Sequence, residues 1–284
     1  MSLDSALGKG VSFHKMQGCG NDFVIIDNRW LKVPVTAMPQ WAKLVCRKCF
    51  GVGADGIIFL EEAPRGSGLD YLWHFYNADG SRAEMCGNGA RCAARLACLL
   101  GLAPPKHVLG TDAGGVAAEV LDDGQVRVRL TPAKDLRTNM KLSVDGQNLT
   151  VHFVNTGVPH AVIFYPDVSL ADVKGLGRAV RFHEAFAPAG TNANFVTVKN
   201  DRELILRTYE RGVEDETYAC GTGACASAVV AQALGLTGPQ VEVRTTGGEI
   251  LGVGLDQGQV FLRGAAEVAF SGELYPQALN LPWP

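Results

Sequence analysis

The sequence predicts an α+β fold of two pseudo-symmetric lobes, each a curved sheet wrapped around one apolar helix. Three observations carry this expectation. Short apolar runs punctuated by Gly, Pro, Asn and Asp dominate the 284 residues. Only two segments are Ala-rich and free of internal Gly and Pro over about three helical turns. Each of those two follows the same block, Cys-Gly-x-Gly-Ala, at Cys86 and at Cys220.

The strands come first. Phe23–Ile26, Ile57–Leu60, Val126–Leu130, Ala161–Phe164, Phe195–Val198, Leu204–Leu206 and Val260–Leu262 are short and rich in β-branched and aromatic residues. Asp123-Gly124, Asp145-Gly146 and Gln257-Gly258 sit between such runs as hairpin turns do. The helices are residues 89–100 (GARCAARLACLL) and 223–234 (GACASAVVAQAL), apolar on nearly every side and so expected to be buried. Gly101 and Gly235 follow them in the place of a glycine C-cap. Weaker helix signals cover Met38 to Lys48 and Leu170 to Arg178. Tyr76-Asn77 lies ten residues before Cys86, and Tyr209-Glu210 eleven before Cys220, so the elements recur in one order. A lobe boundary is expected near Thr131-Pro132. The N-terminal lobe would be residues 1–131, completed by a strand in 265–284, and the C-terminal lobe 132–264.

Bulk properties exclude several classes. The apolar fraction of 47% and charged fraction of 19% are those of an ordinary globular chain. A net charge of −3 gives no basic surplus for nucleic acid or an anionic membrane. No apolar run approaches the roughly 18 residues of a bilayer span. Met1 to Gly10 lacks the pattern of a secretory signal and reads as a short disordered lead-in. Eight cysteines in a chain of this length, without an export signal, read as reduced thiols of a cytoplasmic protein.

The chemistry concentrates where the two helices begin. A helix N-terminus offers unpaired N–H groups and a partial positive charge. Gly87, Gly89, Gly221 and Gly223 let an anion approach that backbone closely, and a carboxylate is a natural guest. A thiol there is expected to have its pKa lowered toward neutrality. Two such thiols on opposite faces of one carbon would remove a proton from one side and deliver one to the other. The α-proton of an amino acid is weakly acidic, and no clear pyridoxal phosphate motif is present. A cofactor-free route has to stabilise the carbanion with oriented dipoles in a dry site.

Other candidates carry less. Cys92, Cys98 and Cys225 read as small core residues inside helices. Cys46-x-x-Cys49 could be half a zinc site or a redox pair, but no second pair follows at ligand spacing, so no metal is expected. Cys19, between two glycines, is placed to line a site. The six histidines form no metal-binding pattern, and His160 stands out only by following Gly157-Val-Pro in a loop signal.

Together these residues resemble the diaminopimelate epimerase family from about Phe13 to the C-terminus. The blocks are residues 15–23 (KMQGCGNDF), 51–56 (GVGADG), 76–91 (YNADGSRAEMCGNGAR), 157–160 (GVPH), 191–194 (TNAN), 209–212 (YERG) and 219–225 (ACGTGAC). The resemblance implies two similar lobes, each a barrel-like, mainly antiparallel sheet around a central helix. It implies a homodimer that interconverts LL- and meso-diaminopimelate, a lysine and cell-wall precursor, with no cofactor or metal. By this resemblance Cys86 and Cys220 are the catalytic pair, assisted by His160 and Glu210. Asn21, Asn77 and Asn192 bind substrate. Gly87-Asn88 and Gly221-Thr222 hold the reacting carboxylate, and Glu210 with Arg211 forms an acidic–basic pair at the site. Val158 and Gly56 depart from the Asn and Gln of some relatives.

Proline racemases and hydroxyproline epimerases share this implied fold and both cysteines, but typically carry His where this chain has Asn88 and lack the Asn-Asp-Phe and Tyr-Glu-Arg-Gly blocks. An isomerase with a carboxylate in place of the cysteines is disfavoured by the presence of both. A thiol redox protein would gain or cycle function on mild oxidation where an epimerase loses it. A binding module would hold ligand without exchanging its α-proton.

Overall fold

A computed structural model describes residues 8–282. Most of the lead-in expected at the N-terminus therefore lies outside the described residues, as do residues 283 and 284. The chain divides into two compact units, Met1–Val128 with Ala265–Pro284, and Arg129–Gly264.

In the first unit the strands are β1 (Val11–Gly18), β2 (Asn21–Asp27), β3 (Gly56–Glu62), β4 (Tyr71–Asn77), β5 (Lys106–Thr111), β6 (Gly114–Val120) and β7 (Val126–Leu130, ending just past the unit's edge), with the returning Glu267–Leu274 as β17. Pairing runs β17-β1-β2-β3-β4-β5-β6-β7, antiparallel except for the parallel steps β2–β3 and β4–β5. Its helices are α1 (Asn28–Leu31), α2 (Met38–Val45) and α3 (Gly87–Leu99). Strands β2 and β3 are apolar without alternation because both their faces are covered. Val24, Ile26, Ile57 and Phe59 join Met38 and Trp41 of α2 in one core cluster. The alternate residues Phe23 and Ile58 reach the start of α3 at Gly89.

The second unit repeats this plan. Its strands are β8 (Lys134–Val144), β9 (Gln147–Asn155), β10 (Pro159–Phe164), β11 (Asn192–Asn200), β12 (Glu203–Glu210), the short β13 (Asp215–Thr217), β14 (Gln240–Arg244), β15 (Ile250–Asp256) and β16 (Gln259–Gly264). The parallel steps are again two, β10–β11 and β12–β14. Helix α4 (Gly175–Arg181) covers the outer face, where Leu176 and Val180 pack with Ile163, Phe195 and Tyr209. Helix α5 (Gly221–Ala233) packs against β9, β10, β11, β12, β14, β15 and β16.

All seven apolar runs form strands, and the three turn signals close hairpins. Asp145-Gly146 and Gln257-Gly258 both place two consecutive residues at positive φ, which matches the twist of the flanking strands. Gly101 (φ 64°) and Gly235 (φ 71°) end the two buried helices in Schellman motifs. In each, the glycine N–H bonds the carbonyl three residues back, and the following Leu N–H bonds the one five back.

Two weaker helix expectations need correction. The helix from Met38 stops at Val45, because the amides of Gly51 and Gly53 take the carbonyls of Arg47 and Val45. Residues 170–178 are not one helix. A 3-10 turn at Val168–Leu170 and α4 from Gly175 are separated by a break. Asp172 accepts from the Gly175 amide, and the Arg207 guanidinium holds the Val168 and Ala171 carbonyls that a continuous helix would need.

Candidate active site

Each unit places its polar residues at one edge of its sheet, beside the start of its buried helix. In the first unit that edge comprises the N-terminal ends of β2 and β3 and the C-terminal end of β4. Phe23 pairs with Gly56, and Gly56 with Asn77. In the second unit it comprises the same ends of β10, β11 and β12. His160 pairs with Asn192, and Ala193 with Tyr209.

Cys86 is the N-cap of α3, and its Sγ accepts from the Gly89 amide at 3.5 Å. Its S–H donates to Asn21 Oδ1 at 3.6 Å, and Asn88 Nδ2 donates to the same oxygen at 3.4 Å. Asn21 Nδ2 in turn donates to Asp55 at 2.6 Å. Asn21, Gly87-Asn88 and Cys86 are thus brought together. Asn77 sits at the adjacent strand end, where its amide donates to Ser81 Oγ at 3.0 Å.

Cys220 is the N-cap of α5 and is buried. Thr222 Oγ1 lies 3.6 Å from its sulfur, and the Thr222 carbonyl is anchored by the Thr156 hydroxyl at 3.0 Å. The thiol corrects one expectation. Burial pushes its pKa well above the ordinary thiol range, and the Glu210 carboxylate pushes it further. The Thr222 hydroxyl and the Gly223 amide pull it only part of the way back. Desolvation outweighs the helix terminus at this position.

Glu210 is itself buried, which raises its pKa, while Thr217 Oγ1 donates to it at 2.9 Å. Glu210 and Arg211 form no ion pair with each other. The Arg211 guanidinium instead donates to the Ala189 carbonyl at 3.1 Å. Asn192 has both ends of its amide engaged, accepting from the Arg211 backbone at 2.7 Å and donating to the Pro159 carbonyl at 3.0 Å. It joins the start of β10 to the loop after β12.

His160 is fully buried, and burial together with the Arg211 charge lowers its pKa to about 3. Asn194 Nδ2 can only donate, so His160 Nδ1 accepts from it, at 3.1 Å. The proton of the neutral ring is therefore on Nε2, a buried donor with no protein partner. His160 presents an N–H there, not a base.

Several residues of the two clusters escaped the sequence reading. Asn194 is held by His160, by the Ala161 carbonyl and by Thr208, and fills the space beside Gly223. The available signal was its spacing of two from Asn192 on one strand, which puts both on one face. Arg91 is a fully buried cation in the Ala-rich helix α3. Asp55 anchors Asn21, and reciprocal bonds with Asp22 tie it to β2.

The remaining cysteines divide by burial. Burial pushes the Cys46 and Cys92 thiols up to about 12, out of reach of thiolate chemistry near neutrality. Cys49 is exposed on a left-handed turn. Among the described residues no group of three or more His, Cys, Asp and Glu side chains is arranged to hold a metal ion. Nor is any helix among them long and apolar enough to cross a membrane.

Comparison with known proteins gives a consistent picture. The profile of the family described as diaminopimelate epimerase matches residues 13–136 and 152–268. The chain is 44% identical to the diaminopimelate epimerase of Hydrogenobaculum sp. (strain Y04AAS1) over 92% of its own length and 97% of that relative. It is 44% identical to the one from Aquifex aeolicus (strain VF5), over 95% and 100%. Among solved structures it is similar in fold to a probable proline racemase from Agrobacterium radiobacter, with a TM-score of 0.70 at 16% identity over 95% of both chains. A phenazine biosynthesis protein of the PhzF family from Bacillus anthracis gives a TM-score of 0.71 at 14% identity, over 94% of this chain and 99% of that one.

Proposed function

The chain belongs to the diaminopimelate epimerase family, and on that premise we propose that Cys86 and Cys220 act as acid and base on one α-carbon of diaminopimelate. The enzyme is an isomerase, and its reaction is the interconversion of the LL and meso forms. The observation that carries the two-thiol reading is that each cysteine caps a buried helix at the same position of an internal repeat.

The reaction needs one thiolate and one thiol. Cys220 is held protonated by burial, and the nearby Glu210 carboxylate is the group suited to take its proton. The Cys220 thiolate then removes the α-proton, and the electron pair left on carbon delocalises into the carboxylate. Cys86 delivers its S–H proton to the opposite face, which inverts the centre and leaves Cys86 as the thiolate. The return reaction runs the same steps backward. First-turn amides of the two helices, at Gly87-Asn88 and Gly221-Thr222, receive the charge that develops on the carboxylate. His160 contributes its Nε2–H as a donor in the same dry region. Asn21, Asn77, Asn192 and Arg211 bind the rest of the substrate, whose distal end is a second amino-acid centre needing donors and acceptors of both charges. The family resemblance further supports a cytoplasmic homodimer working without cofactor or metal.

Incubation with LL-diaminopimelate in D₂O tests the reading. It should yield meso product deuterated at the α-carbon with nothing added. Cys86→Ala and Cys220→Ala should each abolish net epimerisation, and full activity in either would sink the two-thiol mechanism.

A further inference from the structure

Arg91 and Asp55 stand at the two ends of a directed hydrogen-bond chain that passes the Cys86 thiol. Arg91 Nη2 donates to Asn88 Oδ1 at 3.1 Å, Asn88 Nδ2 to Asn21 Oδ1 at 3.4 Å, and Asn21 Nδ2 to Asp55 Oδ2 at 2.6 Å. A guanidinium can only donate and a carboxylate can only accept. The end groups therefore fix which way round both amides sit. If Asn21 were reversed, its oxygen would face the Asp55 carboxylate. Asn88 would have to reverse with it and turn an N–H toward the Arg91 guanidinium.

The direction matters because Cys86 is bonded at the middle of the chain. Its S–H donates to Asn21 Oδ1 at 3.6 Å. An acceptor oxygen there favours the protonated thiol, whereas a reversed amide would present an N–H and favour the thiolate. Arg91 is fully buried, with its Nε on the Ala265 carbonyl and a second bond from Nη2 to Cys19 Sγ at 3.2 Å. Among the described residues no carboxylate pairs with it, and Nη1 is buried without a partner. A cation held at that cost, three residues from Asn88 on the same helix face, needs a reason beyond packing.

We propose that Arg91 and Asp55 are positioning residues for Cys86, which together set the polarity of the Asn88–Asn21 amide chain and hold the thiol as a proton donor. This rests on the reading of Cys86 as one of the two reacting groups. It deepens that reading by assigning Cys86 the acid role in the resting enzyme.

The test is the alkylation rate of Cys86 by iodoacetamide at fixed pH in the full-length protein, read by peptide mass spectrometry. The exposed Cys49 serves as internal standard. Charge alone and amide polarity make opposite predictions for one of the variants. Removing the Asp55 carboxylate favours thiolate on either ground. Removing the Arg91 cation disfavours thiolate by charge and favours it by freeing the amides to reverse. The proposal expects both Asp55→Asn and Arg91→Gln to speed Cys86 alkylation roughly tenfold, as loss of a bond to an ionisable group implies. Arg91→Lys keeps a donor-only end and should restore most of the slow rate. Slower alkylation in Arg91→Gln, or an unchanged rate in Asp55→Asn, overturns it. If Arg91→Gln does not fold, Asp55→Asn decides when measured with and without about 0.5 M salt. Salt screens an exposed charge but not a reversed amide, so an acceleration that disappears in salt overturns the proposal. Alkylation does not depend on turnover, so these outcomes are distinct from failure of epimerisation in Cys86→Ala.

Discussion

Gly89 and Gly223 occupy the same place in the repeat, three residues into their helices from Cys86 and Cys220, yet the same substitution should have opposite consequences. A Cβ at position 89 would meet Ile58 Cδ1 and Trp73 Cζ3 at 3.4 Å and Phe23 Cζ at 3.5 Å, which are ordinary contacts. Gly89→Ala should therefore be neutral or gain up to ~1 kcal/mol of helix propensity. A Cβ at position 223 would collide with Asn194 Oδ1 and come within 3.2 Å of Cys220 Sγ. Asn194 has nowhere to go. It is fully buried, with Nδ2 on the Ala161 carbonyl at 2.9 Å and on His160, and Oδ1 accepting from Thr208 at 3.0 Å. Displacing it breaks at least the Thr208 bond and leaves two buried groups unpaired, at about 1–3 kcal/mol each. After the propensity gain, Gly223→Ala should lose roughly 1–5 kcal/mol. Urea unfolding followed by far-UV circular dichroism measures the contrast. A gap of about 3 kcal/mol moves the midpoint by about 1 M or more at an unchanged slope. Equal midpoints for the two variants would refute the claim that Asn194 is immobile beside the second helix.

The buried His160 predicts an acid-sensitive stability. Its folded pKa of about 3 lies below the ordinary 6.5, so the unfolded chain binds the proton between these values and stability falls as pH drops through that window. Its share should be about 2 kcal/mol between pH 7 and pH 5, seen as a flatter pH dependence of the urea midpoint in His160→Gln than in the parent; parallel curves would contradict the assignment. At Gly56 a Cβ would stand 2.6 Å from Phe75 Cε2 and 2.8 Å from the Tyr76 carbonyl. Gly56→Gln should cost more than about 2 kcal/mol by overpacking, and the same substitution should cost less in a Phe75→Ala background. An unchanged unfolding midpoint in the single variant would show that β3 and β4 can part there.

Much of the local structure was legible because short-range chemistry decided it. The apolar runs, the Asp-Gly and Gln-Gly turns and the glycine caps state their conformation within a few residues. The weaker helix signal at residues 170–178 failed for the opposite reason. Residues 170–178 break because Arg207, on β12, takes the Ala171 carbonyl together with that of Val168 just before them. The site shows the same division. Cys86 and Cys220 stood out because a repeat is visible in one dimension. Arg91 and Asp55 did not, because the amide chain that joins them runs from α3 to β2 and on to the residue before β3, elements that meet only when the unit folds.

The sequence by itself thus determined the α+β class, the two buried helices and the place of Cys86 and Cys220 at their starts, since each follows from residue type and spacing. It also set an expectation for those thiols that folding reversed at Cys220. A helix N-terminus alone lowers a thiol pKa, but burial and the Glu210 carboxylate raise this one. Which thiol faces an oxygen, which faces a carboxylate and how deeply each is buried are sums over neighbours from distant parts of the chain. Protonation follows from that sum, and only the tertiary structure carries it out.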